Sequence, residues 1–320
     1  MKWLIVRYSA IGDCVMAAHV PSRIRREQPD SIIHWAVETR CEDVIDTEIL
    51  VQHRASLPRH LMRKKRWSPQ TWRTQMVYYS RLRAERFDYG LDLQGHLKTA
   101  ICLRLAAPKQ SRSIQATDAL SKMLNPVMAQ LPQRIHCVEH ALNCLAELVD
   151  FRADSTPIMP KLESERRTIR NQIEGKPKLV TIAVGAGQAD KAWPIERWKA
   201  VAEQLQGQVQ IAFLGGPESA CPEVPGAIDW VGKLTLAETM AAIAESELLL
   251  SGDTGAGHIA AAYHTPVLSV FGPTDPAIFR PYSDLGIVLR NGRATENTSV
   301  DEVLSTAREA LSQHAKAIPH

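Results

Sequence analysis

Short apolar runs recur along the chain, each bounded by glycine, proline or charge, and they alternate with longer stretches of helical periodicity. In the first half the runs fall at Trp3 to Tyr8, Ser31 to Val37 and Tyr89 to Leu93, with helices predicted from about Cys14 to Glu27 and from about His136 to Val149. In the second half they fall at Leu179 to Val184, Val209 to Leu214, Glu247 to Leu250, Val267 to Phe271 and Gly286 to Leu289. Helices are predicted there from Pro194 to Leu205, from Leu236 to Ala244, from Gly257 onward, and from Val300 to Gln313 behind a capping Ser299. Runs without polar alternation suit strands buried on both faces, and strands alternating with helices build parallel sheets. A polar stretch from Phe151 to Lys178, marked by Pro157, Pro160 and Pro177, separates the halves. The pattern predicts an α/β protein of two Rossmann-like domains facing a central cleft. The first is expected over residues 1–155, a linker over 156–177 and the second over 178–320, the last helix being free to pack back on the first domain.

Composition adds little to that picture: 320 residues, 45% hydrophobic and 23% charged, describe an ordinary soluble enzyme. The opening Met1-Lys2-Trp3-Leu4-Ile5-Val6-Arg7 reaches a charge after four apolar residues, too soon for a signal peptide or a spanning helix, so neither export nor anchoring is expected. Six cysteines, at 14, 41, 102, 137, 144 and 221, show no CxxC pair or zinc spacing and read as reduced; no metal is expected.

Charge changes the picture. Between Ile49 and Ala84 lie nine Lys or Arg and no acid, so the chain's net +3 divides into +9 there and −6 elsewhere. Such a window is either a solvated helical face or a surface for something anionic. Trp67, Trp72, Tyr78 and Tyr79 among the charges fit a surface that meets an interface or a sugar.

Candidate chemistry sits where strands end. After the first run comes Ser9-Ala10-Ile11-Gly12-Asp13, in which Asp13 is either a helix-capping aspartate or a general base. The second domain opens with Val184-Gly185-Ala186-Gly187-Gln188-Ala189-Asp190-Lys191-Ala192-Trp193-Pro194, a glycine loop and a lysine that suit a phosphate without the spacing of a Walker loop. Leu214-Gly215-Gly216-Pro217-Glu218 offers a carboxylate to ribose hydroxyls, or is a plain turn. Ser251-Gly252-Asp253-Thr254-Gly255-Ala256-Gly257-His258 places polar groups at a helix start, where unpaired N–H groups attract anions. Phe271-Gly272-Pro273-Thr274-Asp275-Pro276 and Asp92-Leu93-Gln94-Gly95-His96 end strands in the same manner, the latter with side chains suited to sugar hydroxyls. Ligands of open α/β sheets bind at such carboxyl ends.

In this order, SxxGD, KxWP, GGPE, DTGxxH and FGPTDP resemble the bacterial ADP-heptose:lipopolysaccharide heptosyltransferases, inverting glycosyltransferases of the GT-B fold, and more closely branch I than branch II. The resemblance covers nearly the whole chain. It implies Asp13 as the base that deprotonates the acceptor hydroxyl. Lys191, with Gly187, Thr254 and Gly255, would hold the donor diphosphate; Asp253 and His258 would lie at the sugar and phosphate, Glu218 at the ribose and Leu234 at the adenine. Family members carry threonines where this chain has Ala186-Gly187, so contacts there would come from backbone N–H groups. On the acceptor side Ser9, Gln94, Arg59, Arg63, Lys64 and Arg66 are candidates, the four cations from charge alone. The implied donor is ADP-heptose and the implied acceptor a Kdo-lipid A type glycolipid, met by a cytoplasmic monomer peripheral to the inner membrane, with no metal. The alternatives are a GT-B enzyme using another nucleotide sugar or a protein acceptor, and a non-catalytic nucleotide- or glycan-binding protein. A nucleic-acid partner is not expected, because the basic window lacks any helix-turn-helix, RRM or zinc pattern.

Overall fold

The computed structural model describes residues 1–57, 68–129, 131, 134–175 and 178–317. They form two compact units, Met1–Pro160 and Lys161–His320.

The first unit holds β1 (Lys2–Val6), α1 (Ile11–Ala17), α2 (His19–Glu27), β2 (Ile32–Glu38), β3 (His53–Leu57), α3 (Pro69–Ala84), β4 (Tyr89–Asp92), α4 (Leu97–Ala106), β5 (Gln110–Ser113), α5 (Ala119–Leu124) and α6 (Cys137–Ala146). Its five strands are parallel, in the order β3-β2-β1-β4-β5. Leu4, Val6, Ala36, Phe87, Leu103 and Tyr79 pack in one core. The single helix expected over 14–27 is two, broken at Ala18, because Pro21 has no N–H for the carbonyl of Ala17. The basic window contributes α3, capped by Ser68, whose hydroxyl accepts from the N–H of Thr71 at 3.1 Å. Tyr79, expected at a surface, is buried in the core, and Tyr78 donates its hydroxyl to Ala55 O at 3.0 Å; only Trp72 of that aromatic group is exposed, while Trp67 lies outside the described residues.

The second unit holds α7 (Glu163–Ile173), β6 (Leu179–Ala183), α8 (Ile195–Leu205), β7 (Gln210–Leu214), β8 (Ile228–Asp229), α9 (Leu236–Ala244), β9 (Leu248–Gly252), α10 (Gly255–Ala262), β10 (Val267–Val270), α11 (Pro276–Phe279), β11 (Gly286–Leu289) and α12 (Val300–Ala317). Its six strands are parallel, in the order β11-β10-β9-β6-β7-β8. Half of the expected linker is helix. On α7, Arg166 and Arg170 reach Glu245 at 2.5 and 2.7 Å, Ile169 is buried, and Gln172 accepts from the Trp230 indole at 2.8 Å. The apolar pattern of α7 is too sparse to show this. The last helix lays Val303, Leu304 and Ala307 in the second unit's own core beside Trp198 and Leu205.

Both sheets have the doubly wound order in which the chain starts centrally and later reverses direction, so each has one switch point: β1 beside β4, and β6 beside β9. There the outgoing loops diverge to opposite faces and leave a crevice at the carboxyl ends of the strands.

Candidate active site

At the first switch point Arg7, the residue after β1, turns its guanidinium onto Asp13, with Nη2 2.6 Å from Oδ2. Arg7 also donates through Nη1 to the carbonyl of Leu93, the residue after β4. Asp13, in the first turn of α1, accepts at the same Oδ2 from the N–H of Ala10 at 3.0 Å. Asp13 is not the N-cap residue, which is Ala10; it closes the capping turn from three positions on, and that bond uses one carboxylate oxygen. No partner reaches Oδ1 among the described residues, and the side chain is about a third exposed. Capping and base catalysis are therefore compatible here. A small cavity of about 60 Å³ lies alongside, lined by Arg7, Asp13, Leu93, Cys137 and His140, the imidazole of His140 being held below its ordinary pKa by burial.

Two neighbours stabilise this loop pair. Gln94 is buried and its Oε1 accepts from the N–H of Tyr8 at 3.1 Å, tying the β4 loop to the β1 loop. Asp92, read from sequence as a sugar contact, is instead fully buried; its Oδ1 accepts from the N–H groups of Gln94 and Gly95 at 2.9 and 3.1 Å, and burial raises its carboxyl to about 6. Ser9 is buried in the loop after β1, and Arg59, Arg63, Lys64 and Arg66 lie outside the described residues. A larger cavity, about 620 Å³, opens between β3 and α3, lined by His34, His53, Arg54, Arg73 and Arg81; among the described residues no sequence-predicted site residue lines it.

At the second switch point Lys191, in the loop after β6, and Asp253, in the loop after β9, form an ion pair of 2.7 Å. Thr274 donates its hydroxyl to the same Asp253 oxygen at 2.7 Å. A buried, doubly contacted carboxylate has one orientation. The KxWP loop owes its position to the core: Trp193 is buried edge-on against Trp198, its indole donates to Thr298 O at 3.1 Å, and Thr295 donates to Ala192 O at 2.9 Å. Gly252 is required by proximity, since a Cβ there would sit 3.0 Å from Lys191 O.

The start of α10 also holds an unsatisfied polar group. Thr254 is its N-cap residue, yet its side chain makes no capping bond, and its buried Oγ1 finds no hydrogen-bond partner among the described residues. An unsatisfied hydroxyl beside the free N–H groups of a helix start fits an incoming anion. Gly255 begins the helix and His258 is buried one turn on. Elsewhere in the unit Gly187 faces open space, Glu218 is exposed in the turn after β7, and Leu234 is half-buried just before Thr235, the N-cap of α9. Arg7 and Thr274 are the residues that sequence reasoning missed; Arg7 lies just before SxxGD, and Thr274 lies inside FGPTDP without having been given a role. Among the described residues no group of three His, Cys, Asp or Glu is placed to hold a metal ion, and no helix is long and apolar enough to cross a membrane.

A family model described as glycosyltransferase family 9 (heptosyltransferase) matches residues 77–306. The chain belongs to this family. It is 25% identical over 301 residues to lipopolysaccharide heptosyltransferase 1 of Pseudomonas aeruginosa, covering 88% of this chain and 81% of that protein. Lipopolysaccharide heptosyltransferase 3 of Escherichia coli is 32% identical over a shorter stretch of 165 residues, 47% of each chain. A solved structure described as E. coli heptosyltransferase WaaC with ADP superposes with a TM-score of 0.80 at 20% identity, over 97% of this chain and all of that one, and has the same fold. The family member described here is thus a glycosyltransferase of GT-B fold, nearer heptosyltransferase I by the span of its relatives.

Proposed function

We propose that this chain moves heptose from ADP-heptose to a Kdo-lipid A type inner-core acceptor with inversion at the anomeric carbon, as a cytoplasmic, monomeric enzyme peripheral to the inner membrane. The observation that carries the reading is the pairing of chemistry with topology: a carboxylate at one switch point, and a cation, a polar helix start and a paired aspartate at the other, in a heptosyltransferase-family chain.

The mechanism follows from these groups. Asp13 takes the proton of the acceptor hydroxyl as its oxygen attacks C1, and the C1–O bond to ADP breaks on the opposite face. Arg7 and the Ala10 N–H hold Oδ2, so that Oδ1 is presented to the hydroxyl. Negative charge grows on the departing diphosphate. Lys191, Gly187 and the first N–H groups of α10, with Thr254 and Gly255, meet that charge with fixed donors. In this reading Asp253 has two roles, orienting Lys191 and accepting heptose hydroxyls, while His258 lies near phosphate and sugar. Glu218 takes the ribose and Leu234 flanks the adenine. Ser9 and Gln94, with Arg59, Arg63, Lys64 and Arg66, are proposed on the acceptor side.

Mass spectrometry of a Kdo₂-lipid A acceptor incubated with ADP-heptose tests the proposal, with Asp13→Asn run beside the wild type. A gain of one heptose is expected, and the variant is expected to lose about 10²–10⁴-fold in turnover while ADP still binds by calorimetry. ADP binding without any gain rejects this acceptor; wild-type turnover in the variant removes Asp13 from the mechanism.

A further inference from the structure

The face of the first unit formed by α3, α4 and α5 carries a feature that donor and acceptor chemistry leave unused. Trp72 and Met76, one turn apart on α3, are 54% and 65% exposed. On α4, Ile101 and Leu105 are also one turn apart and exposed, and on α5 Leu120 and Met123 are exposed, the latter at 81%. The three helices adjoin: Arg83 Nη1 of α3 donates to Leu105 O of α4 at 3.4 Å, and Asn125, just after α5, donates to Ala100 O of α4 at 3.2 Å. Scattered exposed apolar residues are ordinary, but six on adjoining helices of one face are not.

The charges on the same helices select the occupant. Within Pro69–Ala84, Leu97–Ala106 and Ala119–Leu124 there are six Lys or Arg and no Asp or Glu; the flanking acids are Glu85, which ends α3 and pairs with Lys2 at 3.1 Å, and Asp118, which caps α5 and accepts from the N–H of Ser121 at 2.8 Å. The helices on the other face of this sheet carry acids, Asp13 and Glu27 on α1 and α2 and Glu139 on α6, so the bias is confined to one face. A second copy of this chain would bring the same positive charge against it. A surface of exposed Trp, Met and Leu on helices that carry cations and no acid matches an anionic bilayer, where aromatic and aliphatic side chains enter the headgroup boundary and cations meet lipid phosphates.

We infer that the α3–α4–α5 face is the surface by which this protein docks on anionic lipid, with Trp72, Met76 and Met123 entering the interface and Arg83, Arg104 and Lys122 meeting headgroups. The inference rests on the proposed lipid-linked acceptor, and the docking face would hold the first unit beside it.

Vesicle flotation tests it with purified full-length protein, comparing phosphatidylcholine alone with phosphatidylcholine containing about 30 mol% phosphatidylglycerol. The wild type is expected to float only with the anionic vesicles, and less as salt rises. Trp72→Ser with Met123→Ser is expected to cut the bound fraction roughly fivefold or more, and Arg83→Gln with Arg104→Gln to flatten its salt dependence. All four side chains are exposed, and a matching thermal midpoint verifies folding. Transfer to acceptor embedded in vesicles should fall in these variants, while transfer to a water-soluble, deacylated acceptor stays at the wild-type rate. Absence of flotation, wild-type flotation by the variants, or a dimer seen by light scattering that the same substitutions dissolve would each overturn the inference. Failure of the soluble transfer in the wild type would instead strike the proposed reaction and leave vesicle binding readable by itself.

Discussion

Arg7 and Lys191 show how single residues act through their partners. Arg7 bridges Asp13 and the carbonyl of Leu93, so it holds the carboxylate relative to the β4 loop. Arg7→Gln is expected to lower turnover by about 10- to 100-fold with ADP affinity unchanged, because misplacing a reacting group by an ångström costs rate rather than donor binding. Arg7→Lys, which keeps a charge but loses the fork that spans two acceptors, is expected to recover only part of it. Lys191→Ala is expected to weaken ADP binding by about tenfold or more, since a charge-assisted contact to phosphate is stronger than a neutral one; calorimetry reads this directly, and unchanged affinity would remove Lys191 from the donor site. The motifs containing Asp13, Lys191 and Asp253 were legible in the sequence because each sets a charged side chain beside glycine just after an apolar strand run. Arg7 and Thr274 were not, because an arginine after a strand or a threonine in a turn gains meaning only from what lies across the sheet.

At the scale of elements, the site depends on loops pinned by side chains within the core. Gly95 in the β4–α4 loop has φ of +70°, and a Cβ there would lie 2.6 Å from Gln115 O. Gly95→Ala is therefore expected to lower the thermal midpoint by several degrees and to reduce turnover, through strain of about 1–2 kcal/mol and displacement of the adjacent Gln94. The buried strands were readable from their apolar runs. The helices α3, α4 and α7 were not assigned from sequence: the exposed faces of α3 and α4 carry apolar and basic residues that blur helical periodicity, and α7 has too few apolar residues to show one. Similarly, the predicted first helix extended across Ala18, where the effect of Pro21 decides that there are two.

For the whole molecule, the pH dependence of stability sums opposed buried groups. His19 and His34 are held down to about 4 by burial, so the unfolded chain binds their protons first; their contribution is complete above pH 6.5 and is lost between 6.5 and 4. Asp92, raised to about 6 by burial, has the opposite sign: the folded state binds its proton first, so acidification from 6 toward 3.8 favours folding. Two histidines against one carboxylate predict a net loss of stability on moving from neutrality toward pH 5. Asp92→Asn, which retains an oxygen for the Gln94 and Gly95 N–H groups, is expected to steepen that loss. Chemical unfolding across this range measures both, and a stability that stays flat or rises on acidification would contradict the assignment.

Sequence by itself determined the two α/β domains, their parallel strands and the positions of the polar motifs, because burial of both sheet faces imposes uninterrupted apolar runs and the chemistry is confined to the glycine-rich turns that follow them. Tertiary structure decided which turns meet. The strand orders put the loops of β1 and β4, and of β6 and β9, side by side. Asp92 was assigned to the fold rather than to a ligand, because a buried carboxylate is held where backbone N–H groups satisfy it. The division between core Tyr79 and exposed Trp72 likewise depends on which side of α3 lies against the sheet, a choice that the weakly amphipathic sequence of that helix left open.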